Sequence, residues 1–309
     1  MKPVILDVDT GIDDTLAIAY AAHSPELELI GLTTCFGNIS LEDATRNSLL
    51  VLESLGIDVP VYPGASKPLF RDFLKKFATE VHGDDGLGNT VQRAPAGKAQ
   101  STPAARFLVD AVRSRPKQVT IIAVGPLTNL ALALMSDPEF ADSVGQVVIM
   151  GGAVTVPGNV TPHAEANIYA DPEAAEYVFR SGLPIVLVGL DVTMQTLLSR
   201  DCVNEWKRAE TPLSGFLADA TSFYIDAYER FRPGIGGCAL HDPLAVGVAI
   251  DPTFVRAVPM HVQVDLEGMY SLGRTIGDRR ASPRLEPNMQ VCLEVDAERF
   301  LKHFLERIL

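Results

Sequence analysis

Five short and almost uninterrupted apolar runs constrain the fold of this chain more than any other feature of its sequence. They are PVILDVD (3–9), LELIGLTTC (27–35), QVTIIAV (118–124), QVVIMGG (146–152) and PIVLVGL (184–190). Strands that are covered on both faces have this character, whereas a half-exposed strand alternates apolar and polar residues. The runs therefore predict the buried strands of a parallel sheet.

Helical stretches separate these runs, as a parallel sheet requires. The candidate helices cover 13–23, 41–55, 103–114, 127–136 and 172–181. Because crossovers between parallel strands are right-handed, the alternation predicts an α/β fold with a mostly parallel, doubly wound, Rossmann-like central sheet. Additional helices are expected over 198–250, further strands over 254–296, and a last amphipathic helix in DAERFLKHFLERIL.

The chain shows no boundary between domains. It has no internal repeat and no low-complexity linker, so we expect a single domain over residues 1–309. One internal segment, 79–100, is rich in glycine and charged residues. Loops of this length are often functional, and this segment is the candidate for a mobile loop beside a site.

Charge and cysteine content narrow the partners and the compartment. The net charge of −13 opposes binding to nucleic acid or to an anionic membrane, so a small neutral or cationic partner is expected. The four cysteines are scattered, without the spacing of a zinc site or a disulfide framework. No apolar run approaches the ~18 residues of a membrane span, and the apolar start is too short for a signal peptide. These features predict a cytoplasmic protein.

The stretch DVDTGIDD (7–14) places four carboxylates directly after the first predicted strand. Two like charges about 4 Å apart repel by about 4 kcal/mol at an effective dielectric constant near 20. The side chains must therefore fan out into water or surround something positive. In open α/β sheets, ligands bind beyond the carboxyl ends of the strands, which is where this stretch begins.

Polar residues also follow the other predicted strands. The candidates that follow these strands are, in chain order, Asn38, the carbonyl of Val124, Thr128, Asn129, Asn159, Glu165 and Asn167, while His241 and Asp242 come much later, at the front of a likely helix. Each has a structural alternative when taken alone: acidic residues stabilise helix N-termini, the HDP sequence resembles a helix start, and asparagine is common in turns. Their joint placement at one edge of the sheet favours a functional site.

Two known aspartate motifs begin in a similar way. In a calcium-binding EF-hand loop the twelfth position is a bidentate Glu, and here it is Ile18, which excludes that motif. A haloacid dehalogenase-type, Mg²⁺-dependent phosphatase also has D-x-D at a strand end. It needs a downstream lysine and a later acidic pair, and the strand ends supply neither convincingly. This phosphatase is kept as an alternative.

A third interpretation uses the whole chain. DVDTGIDD resembles the N-terminal signature of the inosine-uridine preferring nucleoside hydrolase family. TTCFGN, GPLTNLA, VVIMGGA, GNVTPHAEANIYADPEAA, VGLDVT and LHDPLAV resemble further family landmarks in the same order, from residue 3 to about 296. The resemblance implies Ca²⁺-dependent hydrolysis of the N-glycosidic bond of ribonucleosides, of the inosine-uridine or pyrimidine-preferring type. A catalytically silent nucleoside-binding protein on the same scaffold is a second alternative.

The resemblance also implies the metal ligands and the general base. By similarity, the carboxylates of Asp9, Asp14 and Asp242 and the carbonyl of Val124 bind Ca²⁺, a cation that prefers oxygen ligands. Asp9 is the expected general base, acting on a calcium-bound water that attacks C1′ through an oxocarbenium-like transition state. Asp7 is expected to support these residues rather than to bind the cation.

Ribose recognition follows from the same likeness. Asp13 and Asn167 are the expected partners of the 2′- and 3′-hydroxyls, with Asn38 nearby. Asn159 and Glu165 are expected to hold the 5′-hydroxyl, and Met150 to pack against the sugar. A site that bonds each hydroxyl discriminates against substrates that lack one.

The residues near the leaving base are less closely specified. His241 is the expected catalytic group that protonates or hydrogen-bonds the base, and His82 is expected to line this side of the pocket. Tyr228, and with it Tyr224, either faces the base or packs in the core. The single Trp206 is not expected to stack on the substrate. Family members are usually dimers or tetramers, so a homodimer or homotetramer is expected.

Overall fold

The fold is described by a computed structural model that covers residues 1–91 and 93–309. Gln92, which belongs to the predicted 79–100 loop, lies outside the described residues. The strands are β1 (Lys2–Val8), β2 (Leu27–Thr34), β3 (Val61–Pro63), β4 (Thr120–Ala123), β5 (Gln146–Met150), β6 (Ile185–Val188), β7 (Leu197–Ser199), β8 (Gly237–Ala239), β9 (Val255–Met260), β10 (Val262–Val264), β11 (Thr275–Gly277) and β12 (Met289–Val295).

Helices connect most of these strands. They are α1 (Ile12–Ala22), α2 (Leu41–Leu55), α3 (Thr79–His82), α4 (Ala104–Ser114), α5 (Thr128–Ser136), α6 (Phe140–Ser143), α7 (Ala166–Ala170), α8 (Pro172–Phe179), α9 (Leu190–Thr193), α10 (Arg200–Arg208), α11 (Pro212–Phe231), α12 (His241–Ile250) and α13 (Ala297–Leu305). Among the described residues, no helix is both long enough and apolar enough to cross a bilayer.

Among the described residues, the central sheet has eight strands in the order β3-β2-β1-β4-β5-β6-β12-β9. Every pair is parallel except β12 and β9, which run antiparallel at one edge. Two antiparallel ribbons, β7 with β8 and β10 with β11, lie outside this sheet. The predicted α/β class and the mostly parallel, doubly wound sheet are therefore confirmed.

Alternate strand residues enter two hydrophobic cores, one on each face of the sheet. In β1, Val4, Leu6 and Val8 pack with residues of α1, α11, α12 and α13. Ile5 points to the opposite face and packs with residues of α4, α5 and α8. Because both faces of the strand are covered, no position of β1 between Val4 and Val8 needs a polar residue for solvation. This explains the apolar runs in the sequence.

The five predicted strands and the five predicted helices between them are present, with ends displaced by a few residues. The region 198–250 is not wholly helical, because β7 begins at Leu197 and pairs with β8 at Gly237–Ala239. A three-residue strand has no periodicity that distinguishes it from a helix terminus, and its pairing depends on a partner almost 40 residues away. The predicted loop 79–100 begins with the short helix α3.

Candidate active site

The site lies where the strand order reverses. The chain passes from β1 outward through β2 to β3, and then returns to β4 on the other side of β1. Diverging connections at such a point leave a crevice beyond the carboxyl ends of the two central strands. Asp9 follows β1 and Val124 follows β4, and the amide of Val124 donates to the carbonyl of Asp7 over 2.8 Å. The two strand ends are thus held side by side.

Asp9 is fully buried, and only one of its carboxylate oxygens has a partner. Oδ2 accepts a hydrogen bond from the backbone amide of Asn38 at 2.6 Å, whereas Oδ1 has no hydrogen-bond partner among the described residues. Gly37 makes this approach possible, because a Cβ atom there would lie 2.0 Å from Oδ2. Burial raises the pKa of Asp9 to about 7, while the nearby Lys75 ammonium and the Asn38 amide oppose the rise.

Asp14 organises the turn between β1 and α1. Its Oδ1 accepts from the amide of Asp9 at 3.1 Å and its Oδ2 from the amide of Gly11 at 2.9 Å. Gly11 is the residue before α1, so the carboxylate satisfies donors at the helix N-terminus as well as in the turn. The structural interpretation of Asp14 as a helix-terminus residue is therefore correct, but it does not account for the other carboxylates around it.

Three carboxylates from two distant parts of the chain converge here. Asp13, Asp14 and Asp242 each offer an oxygen, and these oxygens lie within 4.8 Å of one another. Asp13 Oδ1 and Asp242 Oδ2 are buried and lack a hydrogen-bond partner among the described residues. Burial raises the pKa of Asp14 and of Asp242 well above the usual carboxyl value, and the neighbouring aspartates add to this rise.

This donor set suits a hard cation. Unpaired buried carboxylate oxygens are costly unless they are protonated or bind a positive charge. Every candidate ligand atom is an oxygen, which favours Ca²⁺ or Mg²⁺ over metals that prefer nitrogen or sulfur. The structure brings Asp13 to the cluster as a further candidate ligand, whereas the family resemblance assigns it to the ribose alone.

Asn167 crosses the crevice between two strand ends. Its Nδ2 donates to the carbonyl of Val124 at 2.7 Å and to that of Met150, at the end of β5, at 3.2 Å. The Val124 carbonyl, an expected cation ligand, is therefore held by the side-chain amide of Asn167, an expected ribose contact. Asn167 is placed by the start of α7, where the Glu165 carboxylate accepts from the Asn167 amide at 2.9 Å.

Glu165 and Asn159 line the cavity from the segment between β5 and α7. Besides the amide of Asn167, Glu165 accepts from the amides of Gly152 at 2.9 Å and Ile168 at 3.1 Å. Asn159 Oδ1 accepts from the amide of Ala166 at 3.0 Å, which leaves its Nδ2 available to a ligand. These contacts fix the loop between β5 and α7 and direct both side chains toward the cavity.

His241 stands between two hydroxyls. Its Nε2 lies 2.7 Å from the Tyr228 hydroxyl and its Nδ1 lies 2.7 Å from Thr193 Oγ1. Burial lowers the pKa of His241 to about 4, so the imidazole is neutral near pH 7 and exchanges hydrogen bonds with both hydroxyls. Tyr228 is therefore not a simple core residue, and Tyr224 donates from its hydroxyl to Asp13 Oδ2 at 3.3 Å.

His82 also reaches the site from the end of α3. Its Nδ1 accepts from the amide of Ile12 at 3.1 Å, which requires a neutral ring with its proton on Nε2. A Cβ atom on Gly11 would lie 2.6 Å from Nδ1, so glycine permits the contact. Burial lowers the pKa of His82, and the nearby Asp13 carboxylate opposes that change.

A cavity of about 410 Å³ joins these residues, within the ~300–1,000 Å³ typical of small-molecule sites. Its lining includes most of the residues predicted from the sequence: Asp13, Asn38, His82, Val124, Met150, Asn159, Glu165, Asn167, Tyr228, His241 and Asp242. Asp9 and Asp14 are fully buried and are not part of the lining. Trp206 packs near Phe304 in the core, as expected for a residue that does not stack on the substrate.

Sequence reasoning missed three groups at this site. Lys75 and Arg232 line the cavity, and Thr193 contacts His241. Thr193 lies in VGLDVT, a landmark whose sequence alone indicates no role for the hydroxyl. Lys75 and Arg232 lie in segments without a recognisable motif, so no local signal identifies them. Asp7, by contrast, has the predicted supporting place: Oδ1 accepts from Thr33 Oγ1 at 2.5 Å and from Asn129 Nδ2 at 2.7 Å.

Comparison with known proteins decides the family. Residues 4–302 match the model of the inosine-uridine preferring nucleoside hydrolases. The chain belongs to this family. As a nucleoside hydrolase it is an N-glycosyl hydrolase that acts on ribonucleosides, and the haloacid dehalogenase-type alternative has no support.

The relatives of this nucleoside hydrolase carry different base preferences in their names. Uridine nucleosidase 1 of Arabidopsis thaliana is 44% identical over 279 residues, covering 90% of this chain and 82% of the relative. The pyrimidine-specific ribonucleoside hydrolase RihA of Citrobacter koseri is 38% identical and covers 99% of this chain and 97% of the relative. The structure of a purine-preferring ribonucleoside hydrolase from Gardnerella vaginalis is 46% identical, with a TM-score of 0.95 over 99% of this chain and 98% of that one.

Proposed function

We propose that this nucleoside hydrolase cleaves uridine and related ribonucleosides to ribose and free base in a reaction that depends on Ca²⁺. The observation that carries the proposal is the convergence of Asp13, Asp14 and Asp242, whose oxygens lie within 4.8 Å of one another and which include, among the described residues, the unpartnered buried atoms Asp13 Oδ1 and Asp242 Oδ2. A bound cation stabilises these negative charges, whereas burial without a cation favours the neutral, protonated carboxyl groups. Asp9, Asp14, Asp242 and the carbonyl of Val124 are the proposed ligands, with Asp13 beside them.

When bound, Ca²⁺ supplies a fixed positive charge that orders the ribose diol and increases the acidity of water beside it. Asp9 is the general base: its free Oδ1 takes a proton from the water that attacks C1′, while Oδ2 stays bonded to the Asn38 amide. As the glycosidic bond breaks, positive charge develops on the ribose ring, and the surrounding carboxylates stabilise it.

His241 assists departure of the base. The Tyr228 hydroxyl and Thr193 Oγ1 hold the imidazole of His241 at both of its nitrogens. Tyr228 and His241 can therefore donate a proton or a hydrogen bond to the leaving base without reorientation of the imidazole ring. Asn167 and Asp13 are the proposed partners of the 2′- and 3′-hydroxyls. Asn159 and Glu165 hold the 5′ end, and Asn38, Met150 and His82 complete the substrate contacts.

Uridine is the proposed preferred type of substrate because two of the relatives are named for uridine or pyrimidine cleavage. The purine-preferring name of the Gardnerella enzyme makes inosine the necessary comparison. The Tyr228–His241 pair offers hydrogen-bonding groups to either class of base, so the measured kcat/KM values decide between uridine and inosine.

The test is release of ribose from uridine, cytidine and inosine by protein that has been thoroughly chelated and then reloaded with Ca²⁺, Mg²⁺ or no metal. The proposal expects ribose from uridine, loss of activity on chelation, and recovery with Ca²⁺ above that with Mg²⁺. Activity that survives chelation would overturn the metal dependence. A higher kcat/KM for inosine than for uridine would overturn the base preference alone.

The chain is further proposed to act as a single domain over residues 1–309 and as a cytoplasmic homodimer or homotetramer. These properties are expected from the family. Light scattering coupled to gel filtration gives the mass of the particle, and a mass of one 33.3 kDa chain would contradict the oligomer.

A further inference from the structure

Lys75 is one of the cationic residues that line the cavity, and neither the metal site nor the ribose contacts proposed above use it. Lys75 is half-buried and shares the cavity lining with Glu165 and Asn159. It lies in the segment 64–78 between β3 and α3, which contains no helix or strand. A lysine in such a setting either neutralises nearby carboxylates or binds a ligand, and the contacts of the segment distinguish the two roles.

The segment is attached to the protein on both sides of Lys75. Before it, the Phe73 ring packs against Phe36 with 5.2 Å between centroids. After it, the amide of Ala78 donates to the carbonyl of Asn38 at 2.8 Å. Phe36 and Asn38 follow β2, and Asn38 is the residue whose amide bonds Asp9. The same strand end therefore positions Asp9 and the segment that carries Lys75.

The charges around Lys75 are carboxylates of the site. Burial lowers the pKa of Lys75, while Asp9, Glu165 and Asp13 oppose this change. Nevertheless, among the described residues Lys75 takes part in no ion pair within 4.0 Å. Its ammonium is thus attracted to the cavity without being bound to any one carboxylate, and its three donors remain available to a ligand.

The position of the available donors indicates which end of the substrate they meet. Asp9 and Asp14 are fully buried after β1 and mark the proposed diol end of the ribose, so the 5′ end points toward its proposed partners Glu165 and Asn159, which share the cavity lining with Lys75. There, Glu165 already accepts from three backbone amides and can offer only an acceptor. A 5′-hydroxyl that donates to Glu165 still needs donors for its own oxygen.

We propose that Lys75 is a specificity-determining residue that contacts the substrate, its ammonium donating a hydrogen bond to the 5′ oxygen of the ribose. The inference rests on the proposed function and deepens it. The contact selects ribonucleosides that carry an oxygen at C5′, and it adds a positively charged donor to the neutral donor that Asn159 supplies.

The experiment compares uridine with 5′-deoxyuridine as substrates of the wild-type protein, Lys75→Met and Lys67→Met. Lys67 lies in the same segment, is exposed and is not part of the cavity lining, so its replacement controls for the loss of charge. A hydrogen bond from a charged donor corresponds to about a 10- to 100-fold effect. We expect Lys75→Met to lose this much in kcat/KM on uridine and less than about twofold on 5′-deoxyuridine, while Lys67→Met resembles the wild type.

Binding of the product provides a readout independent of turnover. Titration calorimetry with the calcium-loaded protein is expected to show that Lys75→Met weakens binding of D-ribose but not of 5-deoxy-D-ribose. Equal losses on both sugars and both nucleosides, or tighter binding by Lys75→Met, would overturn the inference and assign Lys75 to neutralising the carboxylates. If the wild-type protein releases neither ribose from uridine nor 5-deoxyribose from 5′-deoxyuridine, the proposed function itself fails, and this inference fails with it.

Discussion

At the scale of single residues, the carboxylates of the site differ in how many of their oxygens accept hydrogen bonds. Both oxygens of Asp14 accept backbone hydrogen bonds, whereas Asp7 accepts two side-chain hydrogen bonds on Oδ1 and has no partner on Oδ2 among the described residues. Asp9, Asp13 and Asp242 each keep one oxygen without a donor among the described residues. The five residues belong to the same chemical type, so position as well as hydrogen bonding assigns their roles: Asp13 and Asp242 line the cavity and cluster with Asp14, whereas Asp7 does neither.

Replacement of Asp9 by Asn tests the general base. The amide preserves the size of the side chain and an acceptor for the Asn38 amide, but it cannot take a proton from water. Removal of a general base costs about 10²- to 10⁴-fold, so we expect kcat on uridine to fall within that range while calorimetry still detects nucleoside binding. A kcat near that of the wild type would contradict the assignment.

Replacement of His241 by Ala tests assistance to the leaving base. We expect a loss of at least about 10²-fold in kcat on uridine and a much smaller loss on 4-nitrophenyl β-D-ribofuranoside, whose leaving group needs no proton. Tyr228→Phe, which removes only the hydroxyl on Nε2, should show the same selectivity with a smaller magnitude. Equal losses on both substrates would indicate that His241 only positions the ribose.

At the scale of secondary-structure elements, local sequence patterns predicted the strands and their polar ends. The strands β1, β2, β4, β5 and β6 were recognisable because both of their faces are buried. The polar residues at their carboxyl ends were recognisable because parallel strands end at one edge. Lys75 was not predicted, because the segment that carries it has no periodicity and is placed by distant contacts with Phe36 and Asn38. Pairing of β7 with β8 is non-local in the same way.

The loop after β5 provides a prediction at this scale. The carboxylate of Asp191, in α9, accepts from the amides of Val154 at 2.9 Å and Thr155 at 2.7 Å, and from Thr155 Oγ1 at 2.5 Å. We expect Asp191→Asn to lower the free energy of unfolding by about 1–3 kcal/mol. The NH₂ group of Asn replaces one of the two carboxylate oxygens and cannot accept a hydrogen bond from the loop. Urea denaturation measures this change.

The same substitution should affect the substrate, because this loop leads to Asn159 and Glu165. We expect a raised KM for uridine with a smaller change in kcat. Thr155→Val is the matched control, since it removes only the hydroxyl donor and should cost less in both stability and KM. Wild-type KM in Asp191→Asn would show that the loop holds its position without this carboxylate.

At the scale of the whole molecule, stability should depend on pH and on the cation together. Burial raises the pKa of Asp9 from 3.8 to about 7 in the folded protein without metal. Such a group contributes stability below its unfolded value of 3.8, and the contribution is lost as pH rises through about 7. The raised pKa values of Asp14 and Asp242 act in the same direction.

We therefore expect the contribution of these carboxyls to make the chelated protein progressively less stable between pH 4 and pH 7, as measured by urea denaturation. Ca²⁺ at 100 times its dissociation constant should restore about 2.7 kcal/mol at pH 7, and less at pH 5 where protons compete for the carboxylates. Asp242→Asn should reduce both the pH dependence and the response to Ca²⁺. An unfolding free energy that does not change when Ca²⁺ is added at pH 7 would contradict a cation site here.

The position of β12 has a consequence for how the protein is made. β12 (Met289–Val295) lies in the sheet between β6 (Ile185–Val188) and β9 (Val255–Met260), although about 100 residues separate it from β6 along the chain. During synthesis at about 5–20 residues per second, the edge of β6 that pairs with β12 stays unpaired for several seconds or more, until β12 has been synthesised. An unpaired apolar edge is a template for intermolecular strand pairing. Nascent chains stalled before residue 289 are thus the form of this enzyme most exposed to aggregation and most in need of a chaperone.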